Sequence, residues 1–163
     1  MTPKILHDSE VPSQGQQVIT VCAFIHHNFS GIEKVFLPKR AATKKFLPCL
    51  YELPGGHIEY GEDIVEGLRR EIREEFGMSI NVGDPFAAFT YTNRIKGSHS
   101  VEVVYFAIFT DALENIIIHP EDHSEYQWVS QSGLEAIGPM SEEELENVKK
   151  GFTLLLGKTL SFG

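Results

Sequence analysis

The sequence predicts an α/β fold, a three-layer α/β/α sandwich around a central mixed sheet. Three observations predict it. The runs Val18 to Ile25 (VITVCAFI) and Val103 to Phe109 (VVYFAIF) are apolar at both alternating sets of positions, as strands covered on both faces are. Two segments, 63–76 and 141–156, carry apolar residues at helical spacing with polar residues between them. Strands and helices alternate along 163 residues, enough for one core that buries roughly 70 % of the unfolded chain's surface.

Residues 1–16 are polar and broken by Pro3, Pro12 and Gly15, and read as an extension ahead of a single domain over 17–163. Asn28-Phe29-Ser30-Gly31 and Lys96-Gly97-Ser98 supply turn chemistry, which predicts hairpins around 18–37 and 86–110. In the helix expected from Asp63 to Phe76, Ile64, Leu68 and Ile72 form an i, i+4, i+8 stripe, with Val65 and Phe76 beside it. Glu125 to Val129 (EYQWV) reads as a short strand, and 132–137 as a helical turn. Ser141 is expected to cap the last helix, with Glu144 reaching back as its capping-box partner. Leu145, Val148, Phe152, Leu155 and Leu156 would form that helix's buried face.

Composition excludes several classes. Apolar residues make up 42 % and charged residues 23 %, ordinary for a globular protein. No apolar run approaches the ~18 residues of a membrane span, and the first residues lack a signal peptide's apolar stretch, so the expected location is cytoplasmic, away from membranes. Cys22 and Cys49 lack metal-ligand spacing and read as reduced packing residues. A net charge of −9 argues against a stable nucleic-acid complex, because gripping a polyphosphate backbone takes clustered Lys and Arg.

Glu71, Glu74 and Glu75 stand at i, i+3 and i+4, where each like-charged pair costs roughly 0.2–0.5 kcal/mol. They also lie near the helix C-terminus, where the macrodipole disfavours anions. A solvated acidic face would explain them, but Gly67 lies one turn before Glu71, where glycine sacrifices up to ~1 kcal/mol of helix propensity and would leave space for a ligand. A Gly55-Gly56 turn stands just upstream. Carboxylates gathered this way form an all-oxygen site for a hard dication, and Mg²⁺ bridges such carboxylates to substrate phosphates.

Gly56 to Met78 resembles the signature of the Nudix hydrolase family, G-x5-E-x7-R-E-U-x-E-E-x-G-U with U aliphatic. The fixed residues are Gly56, Glu62, Arg70, Glu71, Glu74, Glu75 and Gly77, with Ile72 and Met78 at the apolar places. Seven such identities arise by chance on the order of once in 10⁸–10⁹ starting positions. The flanking YELPGG and EYQWV segments extend the resemblance over residues 17 to about 157. It implies a Nudix-type sandwich with a loop–helix–loop catalytic motif, Mg²⁺ or Mn²⁺ as cofactor, and hydrolysis of a nucleoside diphosphate linked to another group. Glu71, Glu74 and Glu75, with the carbonyl of Gly55, would be metal ligands, and Arg70 would orient the glutamates. Glu62 would make structural or outer-sphere contacts, and Gly56 and Gly77 would permit backbone turns.

A metal-activated water is the implied nucleophile, with Glu71, Glu121 or Glu125 as its base; Asp122 and His123 read as ordinary loop residues. Pro38 to Lys45 (PKRAATKK) is the one dense basic segment; in it only Arg40 is favoured as a substrate ligand, and the lysines read equally as solvated. His57 and Glu125 are the other substrate-binding candidates. Phe89, Tyr91 and Trp128 could stack on a nucleobase or belong to the core. Thr92 and Arg94 stand where the family's ADP-ribose and diadenosine-polyphosphate members carry proline and tyrosine, which leaves nucleoside triphosphates or nucleotide sugars as the preferred substrates. Two rivals stand beside hydrolysis: a Nudix-fold module that only senses a nucleotide, and a prenyl diphosphate isomerase, which would need a catalytic cysteine where Cys49 reads as buried. The family also allows a homodimer.

Overall fold

The structure, a computed structural model, describes residues 13–157. Most of the expected extension, and the end of the chain after Gly157, lie outside the described residues. Residues 13–16 hydrogen-bond to the 96–99 segment, through Ser13 N to Lys96 O and Gly15 N to Gly97 O, both 2.9 Å.

The centre is β1 (Gln17–Phe29), which runs parallel to β5 (Ser98–Phe109) over Gln17↔His99 to Ile25↔Ala107. Its other edge has two partners. Thr20 to Cys22 pair antiparallel with β3 (Gly55–His57), and His26 to Phe29 pair antiparallel with β2 (Ile32–Arg40). β4 (Ile80–Asn93) flanks β5 and β6 (His123–Ser130) flanks β2, giving the order β4-β5-β1-β2-β6 with β3 off that path. The sheet is mixed, as expected. β3 was not expected: Gly55 and Gly56 are a strand, not a turn, because β1 has unpaired edge between β5's far side and β2 that only a side-chain-free backbone can approach. A Cβ on Gly55 would lie 1.9 Å from Val21 O. Gly55→Ala is expected to part β3 from β1 and lower stability by about 2–3 kcal/mol, read as a fall in the urea midpoint.

The β1–β2 hairpin closes through Ser30 (φ 53°) and Gly31 (φ 94°), the paired left-handed conformation that matches strand twist. Pro85 sits at a register break of β4, an edge strand, where a missing N–H is tolerated.

Alternate residues of the strands feed two cores. Val21, Ala23 and Ile25 meet Leu68, Ile72 and Phe76 of α1 (Ile64–Phe76) on one face. Cys22 and Phe24 meet Val148 and Phe152 of α2 (Glu142–Leu155) on the other. This is the predicted sandwich. Asp63 caps α1 by accepting from Val65 N and Glu66 N, and Gly77 ends it in the left-handed region at φ 65°.

Three expectations need correction here. Ser141 caps α2 through Glu144 N at 3.2 Å, but the Glu144 carboxylate accepts from Leu53 N at 2.9 Å and does not complete a capping box. A buried amide left unpaired costs more than a helix-end amide that water can reach. Leu156 is 46 % exposed, because α2 ends at Leu155 and the chain leaves the apolar face. The helical turn expected near 132–137 is present, as a 3₁₀ helix over Gln131–Ala136. Cys49 is exposed in the left-handed region at φ 64°, whereas Cys22 is buried as expected.

Candidate active site

Where β2 and β3 part along β1, a groove of about 260 Å³ opens, lined among others by Thr20, Cys22, Arg40, Gly55, Gly56 and Tyr91. One end meets α1 at the Gly56 backbone. A Cβ on Gly56 would stand 2.4 Å from the Glu71 carboxyl carbon and 2.5 Å from its Oε2, so glycine is required for the close approach of the Glu71 side chain rather than for a turn. Gly56→Ala should push that carboxylate away and lower kcat at least ~10-fold with little change in Tm, checked by assay and melting side by side.

Arg70 organises this end. Its Nε and Nη2 donate to Glu62 at 2.7 and 2.9 Å, its Nη1 donates to Glu71 Oε1 at 3.0 Å and Glu74 Oε2 at 3.2 Å, and Nη2 also donates to the His57 carbonyl at 2.9 Å. The bidentate bond from Arg70, helped by the Glu59 amide, lowers the Glu62 pKa to about 2. Glu62 also occupies the space left by Gly67: a Cβ there would meet Ile58 Cδ1 at 2.5 Å and Glu62 Oε1 at 2.8 Å. The missing side chain therefore admits the preceding loop, not a ligand.

The three box glutamates are not equivalent. Glu71 and Glu75, one turn apart, are 5 % and 7 % exposed. Glu74 lies outward, its side chain 60 % exposed. Burial pushes the Glu75 pKa up to about 8, with Glu52 and Asp122 adding to the rise and His123 and Arg40 opposing it.

Behind Glu75 lies a layer that sequence reading missed. Glu52 accepts from His123 Nε2 at 2.8 Å and Arg40 Nη1 at 3.3 Å. His123 is not an ordinary loop residue: it opens β6, is 2 % exposed and lies against the Phe76 ring, 5.1 Å between centroids. Burial disfavours its charge, but the bond to Glu52 raises its pKa. Although burial opposes it, Arg40 and His123 hold the Glu52 carboxyl below its usual range. Asp122 accepts from Lys44 Nζ at 2.9 Å, so Lys44, 7 % exposed, is structural rather than solvated. Glu52 carried a legible signal, a lone acid between Tyr51 and Leu53, which suits a buried and paired carboxylate.

The remaining candidates divide. Arg40 lines the groove; its Nε donates to Phe46 O at 2.9 Å, while Nη2 is buried with no hydrogen-bond partner among the described residues. Phe89 and Tyr91 line the groove as well. Trp128 does not: it packs with Phe29, Phe36 and Phe109 on the α1 side of the sheet. His57 lies beside the site, its Nε2 3.0 Å from Lys96 Nζ. The Glu125 carboxylate accepts from the Tyr51 hydroxyl and lies outside the groove lining, and Glu121 is solvent-exposed.

Among the described residues no group of three or more His, Cys, Asp or Glu side chains is already gathered into a metal-ligating cluster. The donor chemistry nevertheless fits a hard dication: two carboxylates one turn apart on α1 are buried, Glu71 close against Gly56, with a third carboxylate, Glu74, held by Arg70.

A three-layer sandwich with buried carboxylates on α1 and a groove beside Gly56 defines an α/β protein with an acidic candidate site. A family model described as the NUDIX domain matches residues 17–151, and the chain belongs to that family; it is an enzyme of the Nudix hydrolase class. It is 27 % identical to the nucleoside triphosphatase NudI of Enterobacter sp. (strain 638), over 83 % of this chain and 98 % of that one. It is 36 % identical to an uncharacterized Nudix hydrolase of Nostoc sp. (strain PCC 7120) over 45 % of this chain, spanning 43 % of that relative. The crystal structure of the MutT protein from Methanosarcina mazei Go1 shares the fold, with TM-score 0.70 at 22 % identity over 90 % of this chain and all of that one. Among the described residues no helix is long and apolar enough to cross a membrane.

Proposed function

We propose that the chain, as one domain over 17–163, hydrolyses a phosphoanhydride bond in a nucleoside diphosphate derivative, with nucleoside triphosphates the preferred class. The observation that carries this reading is the buried pair Glu71 and Glu75 on α1, with Glu71 packed against Gly56 at the edge of the groove, at a complete Nudix signature. The triphosphate preference draws on the likeness to NudI. The unpaired Cys22 and Cys49 accord with a cytoplasmic location.

Glu71, Glu75 and Glu74, with the Gly55 carbonyl, would hold Mg²⁺ or Mn²⁺. When bound, the cation would screen the carboxylates, hold diphosphate oxygens and lower the pKa of an attacking water. Arg70 fixes Glu71 through Oε1, and Oε2 lies on the Gly56 side, where it would accept the water's proton. Glu71 is therefore preferred over Glu125, which the Tyr51 hydroxyl engages, and over solvent-exposed Glu121. Arg40, on the groove wall, donates to substrate oxygen. A prenyl isomerase finds no support at Cys22, whose thiol pKa burial and Glu102 raise, or at Cys49, which is outside the groove lining.

A panel of nucleoside triphosphates and nucleoside diphosphate derivatives tests the reading. Turnover should require Mg²⁺ or Mn²⁺ and place one oxygen from ¹⁸O-water on a product phosphate. Tight nucleotide binding without cleavage of any of them would instead establish the sensing module.

A further inference from the structure

Arg40, Glu52 and His123 come from three segments whose backbones are tied together. Arg40 N donates to Leu50 O at 2.9 Å, Glu52 N to Pro38 O at 3.0 Å and Ala41 N to Asp122 O at 2.9 Å. At the end of β2 the pairing with β6 slips: Lys39 faces Glu125 but Arg40 faces His123, so the register skips Ser124. A bulge of this kind re-aims the side chains beside it. Here it sets His123 opposite Arg40, and the Glu52 carboxylate joins the two. Its Oε2 accepts from His123 Nε2 at 2.8 Å and its Oε1 from Arg40 Nη1 at 3.3 Å. The His123 ring in turn lies against Phe76 of α1, with centroids 5.1 Å apart.

We propose that Glu52 and His123 are positioning residues for Arg40: His123 fixes the Glu52 carboxylate, and Glu52 fixes the guanidinium on the groove wall, so that Arg40 meets the substrate's phosphate oxygens in one orientation. The proposal deepens the hydrolase reading and takes from it only that a nucleotide's phosphates enter the groove and meet Arg40.

Arg40 lines the groove yet is only 8 % exposed, and two of its three nitrogens are already committed, Nε to Phe46 O at 2.9 Å and Nη1 to Glu52. Its Cζ also lies 5.9 Å from the Phe46 ring centroid. Nη2 has no hydrogen-bond partner among the described residues, and a buried donor in that state calls for an acceptor oxygen. A guanidinium held at two nitrogens keeps its fork in one plane, so little side-chain freedom remains to be lost when a phosphate binds. The chain of Arg40, Glu52 and His123 adds little to stability as such: an apolar side chain at position 123 would pack on Phe76 at a smaller desolvation cost. What the polar chain supplies is direction.

A double-mutant cycle tests this, read by calorimetric titration of a non-hydrolysable nucleoside triphosphate analogue with Mn²⁺ in excess. Glu52→Gln and His123→Phe, the latter keeping a ring against Phe76, should each weaken analogue binding ~10-fold while Arg40 is present, the cost of one misdirected hydrogen bond to a charged group. Either variant carries the test if the other folds poorly. In the Arg40→Ala protein, itself weakened at least as much, the same changes should alter affinity less than ~2-fold, because residues that act through Arg40 have nothing left to direct. His123→Gln, whose amide can again donate to Glu52, should recover most of the affinity that His123→Phe loses. A role confined to the fold would lower the melting temperature without this coupling. Equal losses in the two backgrounds, or wild-type affinity in Arg40→Ala or in the folded Glu52→Gln and His123→Phe proteins, would overturn the proposal. Turnover measured in parallel keeps the two readings apart: cleavage with uncoupled losses defeats the positioning role alone, and coupled losses of binding without cleavage of any nucleotide defeat the hydrolase reading alone.

Discussion

Glu75→Gln is expected to lose at least ~10²-fold in kcat while melting higher than the wild-type protein in EDTA at about pH 8. Both effects have one cause. Glu75 is buried, and burial raises its pKa to about 8 from the 4.5 of an exposed glutamate. Between those values the unfolded chain loses this proton while the folded chain keeps it. The folded state then binds more protons, so stability falls as pH rises through this window and levels off above it. The amide has nothing to ionise, so the variant escapes the loss, by roughly 2–4 kcal/mol at the plateau. Melting curves in EDTA across the window measure the stability arm, and turnover with Mg²⁺ measures the other. A variant that loses activity because it unfolds would contradict the assignment.

Arg70→Ala should cost both function and stability. The guanidinium holds Glu62, Glu71, Glu74 and the His57 carbonyl at 2.7–3.2 Å, and its removal leaves Glu71, 5 % exposed, without that cation. Loss of a buried ion pair's partner costs about 3–5 kcal/mol, but Arg70 is 21 % exposed and Glu62 is partly solvated, so about 1–3 kcal/mol is expected from urea unfolding. Activity should fall at least ~10²-fold, because Glu71 is no longer directed. Arg70→Lys should recover part of the stability but little activity, since an ammonium cannot match the two-pronged bond to Glu62. Full activity in the lysine variant would show that charge alone suffices.

The box residues were legible because their chemistry is local. Gly56, Glu71 and Glu75 lie within one strand–loop–helix unit, and the periodicity of Ile64, Leu68 and Ile72 already turns the α1 face toward the sheet. The covered strands were legible for a similar reason, since the run from Val21 to Ile25 in β1 is apolar at both alternating sets of positions and buried throughout. What the sequence hid is contact across long separations. Glu52 meets His123 71 residues away, and Lys44 meets Asp122 across 78; no spacing rule joins such pairs. Gly67 misled because an empty position on a helix is equally well filled by its own preceding loop, here Ile58 and Glu62. Trp128 misled because a strand aromatic has two faces to choose from, and the register Phe36↔Trp128 sets it on the α1 side.

On the proposed reading, Glu71 and Glu75 are buried one turn apart so that a dication can lie between them and the substrate's phosphates. Calorimetric titration of Mn²⁺, with a non-hydrolysable nucleoside triphosphate analogue present, measures this directly. Saturable uptake by the wild-type protein, weakened at least ~10-fold in Glu75→Gln, is the predicted result. No saturable uptake, or equal uptake by both proteins, would contradict it.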